Sequence, residues 1–145
     1  SVLVKGTPNI LCTLSPCCSP IPGDPIVGYV SQGKGIKVHR KDCPNMANAE
    51  TDRLIEVSWA EQVTNVFNAG IKVVGTTQAE VLAIVASVVA KYKLEIISTN
   101  GRVDHKTNLA MVDFHIRLNS TDELNTLINK LKQESKISDV YRTAN

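Results

Sequence analysis

The rhythm of hydrophobic and polar positions changes near residue 60. From Phe67 the chain alternates, with Phe67, Ala69, Ile71 and Val73 at every second position, the period of a half-buried strand. Thr77-x-x-Glu80 follows, a spacing at which a hydroxyl and a carboxylate satisfy free amides at a helix start. Val81, Leu82, Val85, Val88, Val89 and Tyr92 then recur at three- and four-residue steps. Val favours strands locally, but a stripe sustained over 77–92 is too long for a typical strand, so a helix is predicted. Residues 94–103 and 109–118 read as a hairpin around 104–108. In its second arm Ala110, Val112, Phe114, Ile116 and Leu118 line one face, and Met111, Asp113, His115 and Arg117 line the other. A second capping box, Ser120-x-x-Glu123, opens a helix with Leu124, Leu127, Ile128 and Leu131 inward, and 137–142 form a last strand. Strand, helix, strand, strand, helix, strand is the ferredoxin-like βαββαβ order, with both helices on one face of an antiparallel sheet.

The first 60 residues have no such regularity. All six prolines (Pro8, Pro16, Pro20, Pro22, Pro25 and Pro44) lie there. Prolines at this density forbid long helices and central strands. Short strands at 10–14, 26–30, 36–38 and 53–58 are predicted, with a short helix at 42–47. The fold class is therefore α+β: a small strand-rich module over 1–60, then a ferredoxin-like βαββαβ domain over 61–145. Trp59, at the junction, is expected to pack the two modules together.

Composition adds three points. Aromatic residues make up only 4% of the chain, so the cores must be built from aliphatic side chains. The net charge of +2 is no nucleic-acid signature, but Lys34, Lys37, Arg40 and Lys41 face a single acid, Asp42, within 31–43. Such a stripe suits a small phosphate-contacting patch as well as a solvated loop. No apolar run reaches the ~20 residues of a membrane span, and no signal peptide is visible at Ser1, so a cytoplasmic location without membrane partners is expected.

All four cysteines precede residue 44, a local feature and not a framework for the whole chain. Cys17 and Cys18 are adjacent, and His39 and Cys43 lie four apart, so the second pair can face one point from a helical turn or tight loop. Three thiolates and an imidazole form a tetrahedral donor set that favours zinc. Adjacent cysteines rarely both reach one ion; Cys12 or Asp42 can stand in for one of them. A module of about 60 residues buries too little surface to be comfortable alone, which a metal would remedy. Buried packing cysteines are the plainer alternative. A catalytic thiol would need a positioned base, and no further pattern supplies one, so the chain is expected to carry no catalytic residues.

The run Cys-Cys-x-Pro-x-Pro-Gly-Asp-x-Ile-x-Gly-Tyr over 17–29, then Gly-x-x-Val-His-Arg-x-x-Cys-x-Asn over 35–45, resembles the zinc-finger-like, conserved-cysteine module of the long RelA/SpoT alarmone synthetases/hydrolases. In that family a ferredoxin-like ACT domain follows. The resemblance implies a parent enzyme that moves pyrophosphate from ATP to the 3′ hydroxyl of GTP or GDP, and in many members hydrolyses the (p)ppGpp product. Its catalytic domains would lie upstream of this chain. The tail would switch them and contact the ribosome and uncharged tRNA during amino-acid starvation. By position, Cys17, Cys18, His39 and Cys43 would hold zinc, and Lys34, Lys37, His39, Arg40 and Lys41 would contact RNA. ACT domains imply a homodimer, here with 96–101 near its interface, and an amino-acid effector near the first strand–helix loop. Its candidate ligands are Gly75, Thr76, Thr77, Gln78, Ser98 and Asn100. Where the common ACT pattern has Asp-Arg-x-Gly, this chain has Thr77-Gln78-Ala79-Glu80, which removes the Arg charge and the Gly that lets a ligand near the backbone.

Two other functions compete. An amino-acid-sensing ACT module of a biosynthetic enzyme has no use for the 17–43 motif. A metal or redox carrier on this scaffold would place Cys-x-x-Cys in the first loop of the βαββαβ domain, and 75–78 holds no cysteine.

Overall fold

Pro and Gly keep every described strand before residue 60 to six residues or fewer in the computed structural model, which describes residues 2–4, 11–33, 35–60 and 66–143. The chain divides into two compact units, one made of the described residues up to 60 and the other Val66–Thr143. The expected boundary at 60/61 adjoins 61–65, which lie outside the described residues, as do Lys34 and the start of the predicted 10–14 strand.

The first unit contains β1 (Val2–Val4), β2 (Cys12–Leu14), β3 (Ile26–Ser31), β4 (Gly35–Arg40), β5 (Leu54–Ile55) and β6 (Val57–Trp59). A four-stranded sheet runs β2-β4-β3-β5, with β2 parallel to β4 and the other pairs antiparallel; β1 pairs with β6. The predicted 53–58 strand is split at Glu56, because its two halves pair with different partners, β3 and β1. The expected 42–47 helix is a single 3₁₀ turn, Pro44–Met46, with no side-chain cap.

Val4, Ile26, Ile36, Val38 and Val57 form this unit's core. Gly28 lies opposite Val38 and Ile55, and a Cβ there would come within 2.7 Å of Ile55 and 2.9 Å of Ile36 and Val57. Glycine thus lets the two sheets close on each other. Trp59 is half-buried against this same core, and its indole N–H donates to the Asp24 carbonyl at 3.0 Å. Within the first unit, β6 pairs with β1 and holds the indole there.

The second unit follows the predicted order: β7 (Phe67–Gly75), α1 (Gln78–Lys91), β8 (Glu95–Asp104), β9 (Leu109–Leu118), α2 (Thr121–Lys132) and β10 (Ile137–Thr143). The antiparallel sheet runs β10-β7-β9-β8, the order that places both crossover helices on one face. Ala110, Val112, Phe114, Ile116 and Leu118 are all buried under those helices. Thr77 and Ser120 are the N-caps, each accepting from the amide three residues on, at 3.1 and 3.4 Å. Val81, Val85 and Val89 form the inner stripe of α1, whereas Leu82, expected inward, is 38% exposed one step round the helix. β8 is an edge strand, exposed along most of its ten residues. No described helix is long and apolar enough to cross a membrane.

Candidate metal centre

Two tight turns bring the cysteines and the histidine of the first unit together. After β2, the Ser15 amide donates to the Val38 carbonyl at 2.9 Å, and the Ser19 amide closes a turn onto the Ser15 carbonyl at 2.9 Å. Ser19 takes a left-handed φ of 45°. This turn presents two successive thiols to one point, which adjacent cysteines in a strand, with side chains on opposite sides, cannot do. His39 stands near the end of β4, on the face away from Val38 and the core. The Cys43 amide then closes onto the Arg40 carbonyl at 3.0 Å and returns the third thiol to the imidazole.

Cys17 Sγ lies 3.3 Å from His39 Nδ1 and 3.6 Å from Cys43 Sγ, and Cys18 Sγ lies 3.8 Å from His39 Nδ1. All four donor atoms lie within 4.8 Å of one another. Zinc bonds of about 2.3 Å to sulfur and 2.0–2.1 Å to nitrogen, set tetrahedrally, need donors about 3.4–3.8 Å apart. The donor set and its spacing fit that ion. The substitutes considered from sequence are not used: Cys12 packs against the core on β2, and Asp42 pairs with Arg40 at 2.7 Å.

Cys18, Cys43 and His39 are buried, and Cys17 is half-buried. Burial pushes the Cys18 thiol up to about 12, against the pull of the Arg40 amide, which donates to its Sγ at 3.3 Å. Burial also pushes Cys17 up, but hydrogen bonds with Ser15, Asn45, Cys43 and Cys18 outweigh it and hold that thiol below its ordinary value. Burial and then the charge of Lys37 hold His39 below its ordinary value, so it stays neutral and able to donate its lone pair. Sequence reasoning did not single out Ser15, whose only signal was its place two residues before Cys17, and Asn45 entered only as the last residue of the 35–45 motif.

The basic stripe is divided. Lys37 and His39 share the outer face of β4, Arg40 points to the opposite side, and Lys41 is exposed in the following turn. His39 is 8% exposed and belongs to the sulfur cluster, so it is not an open cation of the stripe. Gly33 and Gly35, at the turn before Lys37, take positive φ of 70° and 75°.

The proposed effector residues are also separated. Gly75, Thr76, Thr77 and Gln78 form the β7–α1 turn, and the Gln78 side chain lies over Gly101 on the helix side of β8. Ser98 and Asn100 face the open side of the sheet, opposite His115 and Asp113, and Ser98 Oγ is bonded to His115 Nδ1 at 3.0 Å. In the turn itself the Glu80 carboxylate accepts from the Thr76 and Thr77 hydroxyls at 3.0 Å and pairs with Lys136.

Comparison with known proteins accords with this arrangement. Residues 2–60 match the RelA/SpoT RIS domain, and residues 63–142 match an ACT domain. The GTP pyrophosphokinase of Haemophilus influenzae is 33% identical over 142 residues, 96% of this chain and 19% of that protein. The bifunctional (p)ppGpp synthase/hydrolase RelA of Mycobacterium tuberculosis is 34% identical over 143 residues, 97% of this chain and 19% of that protein. The ACT domain from GTP pyrophosphokinase of Chlorobium tepidum superposes with a TM-score of 0.46 at 24% identity, covering 54% of this chain and 99% of that one. The chain belongs to the RelA/SpoT family, of which it is the C-terminal regulatory region, an RIS domain followed by an ACT domain.

Proposed function

We propose that this chain is the sensing tail of a (p)ppGpp synthetase/hydrolase, reporting amino-acid starvation to catalytic domains upstream through contact with the ribosome and uncharged tRNA. The observation that carries this reading is the convergence of Cys17, Cys18, His39 and Cys43 on one point inside the segment that matches the RIS domain. Zinc held by these four would supply no chemistry of its own beyond cross-linking the 17–18 turn, the end of β4 and the Cys43 turn. That cross-link suits a unit whose described apolar cluster is as small as Val4, Ile26, Ile36, Val38 and Val57. Lys37, Arg40 and Lys41, with Lys34 beside them in the sequence, are the phosphate-contacting candidates next to the centre.

In this reading the ACT domain acts through pairing. The Glu80 carboxylate fills the turn where an effector carboxylate would seek hydroxyl donors, and the exposed β8 edge leaves backbone groups for a second copy. The working location is the cytoplasm, where ribosomes are.

The test is (p)ppGpp synthesis by the full-length parent with ribosomes and uncharged tRNA. His39→Ala should bring ribosome-dependent synthesis down toward the ribosome-free level. Stimulation equal to wild type would overturn the proposal.

A further inference from the structure

The four donor residues are not equivalent. Cys18, Cys43 and His39 are 5%, 4% and 8% exposed, while Cys17 is half-buried and reachable from solvent. Cys17 Sγ also has a second sulfur, Cys43 Sγ, at 3.6 Å, and the Ser15 hydroxyl at 3.1 Å. An accessible thiol beside a sheltered one is the arrangement that lets a first oxidation be captured as a disulfide before it goes further. Cys12 is separated from this group, packed against the core of the first unit on β2.

We propose that Cys17 is a site of oxidation by hydroperoxides, with Cys43 as its resolving partner. The Cys17 sulfur attacks the peroxide, an S–O bond forms, the O–O bond breaks, and one oxygen leaves as the alcohol, or as water from hydrogen peroxide. Cys43 then attacks Cys17 Sγ, an S–S bond forms, the S–O bond breaks and water leaves. Two sulfurs are oxidised and one peroxide is reduced; where the thiols start as metal-bound thiolates, solvent supplies two protons. The disulfide ties the 17–18 turn to the Cys43 turn but leaves only Cys18 and His39 as donors, too few to retain zinc. Peroxide then becomes an input to the regulatory region, acting on the same four residues as the metal. The release of zinc rests on the metal reading given above; the disulfide does not.

The experiment treats the reduced, zinc-loaded 145-residue chain with hydrogen peroxide and follows zinc with a chromogenic chelator and the cysteines by fragmentation mass spectrometry. The expected result is a Cys17–Cys43 linkage, with about one zinc released per linkage, both reversed by a dithiol. Cys12→Ser should behave as wild type. A linkage through Cys12 or Cys18, or peroxide consumption that yields only sulfinic acid, would overturn the proposal. So would zinc retained with no linkage formed. A chain that never holds zinc but forms the Cys17–Cys43 linkage would overturn the metal reading and uphold the oxidation site. Because the assignment is made on the wild-type chain, it does not depend on a Cys17 variant folding.

Discussion

The backbone amide of Arg40 donates to Cys18 Sγ at 3.3 Å, while the Arg40 guanidinium turns away to Asp42 at 2.7 Å. One residue thus serves the sulfur cluster with its main chain and the following turn with its side chain. Arg40→Ala should leave the amide–sulfur bond and the zinc capacity intact. The ion pair itself should contribute only about 0–1 kcal/mol, since the Asp42 side chain is 68% exposed and solvent screens it, and the Arg40 stem, with its side chain 18% exposed, adds a packing cost. Denaturant melts of the zinc-loaded variant check this, and loss of zinc by Arg40→Ala would contradict it.

The same separation makes the RNA role testable without disturbing the centre. Arg40→Ala with Lys41→Ala in the full-length parent should weaken binding to ribosomes or structured RNA. The slope of log affinity against log salt should fall by about 1 for each phosphate that is no longer neutralised. Titrations at several salt concentrations give both quantities. Unchanged affinity and slope would mean a solvated turn.

The Glu80–Lys136 pair predicts a pH profile. The Lys136 ammonium, then the Thr77 and Thr76 hydroxyls, hold the Glu80 carboxyl below its ordinary value of 4.5, and Glu80 holds Lys136 above 10.5. A depressed carboxyl contributes stability that is complete above its unfolded value and lost as pH falls through the folded one. A raised lysine contributes stability that is complete below its unfolded value and lost as pH rises through the folded one. Glu80→Gln keeps the capping geometry and removes the charge. Its thermal midpoint should lie below wild type between those limits and converge with it in acid. A gap that persists in strong acid would contradict the assignment.

Pairing through β8 should make the chain a dimer in solution. Ile97 stands at the irregularity between Ile96 and Ser98 and is 40% exposed. Ile97→Lys places a charge on the edge and should shift sedimentation from dimer to monomer. A wild-type chain that stays monomeric at high concentration would contradict the pairing.

Much of the second unit was legible because its signals are local. The alternation of Ala110 to Leu118 states which face of β9 is covered, and Thr77 and Ser120 mark helix starts by side chains that bond three residues on. Leu82 was misplaced because α1 is apolar nearly all round, so its periodicity does not say where the inner stripe ends. In the first unit the four donors were legible from residue type. Their convergence was implied only by the family resemblance, since spacing does not show the tight turn, closed by the Ser19 amide on the Ser15 carbonyl, that presents the two adjacent thiols together. The division of the basic stripe follows from the face each residue takes on β4.

Zinc content of the purified chain tests the central claim most directly. Reconstituted under reducing conditions at neutral pH, the chain should hold about one zinc. Loading should be lost in acid as protons reclaim the thiolates and the imidazole, and Cys18→Ser or His39→Ala should weaken it while Cys12→Ser should not. A wild-type chain that binds no zinc after reconstitution, or a Cys12→Ser chain that loses it, would contradict the account.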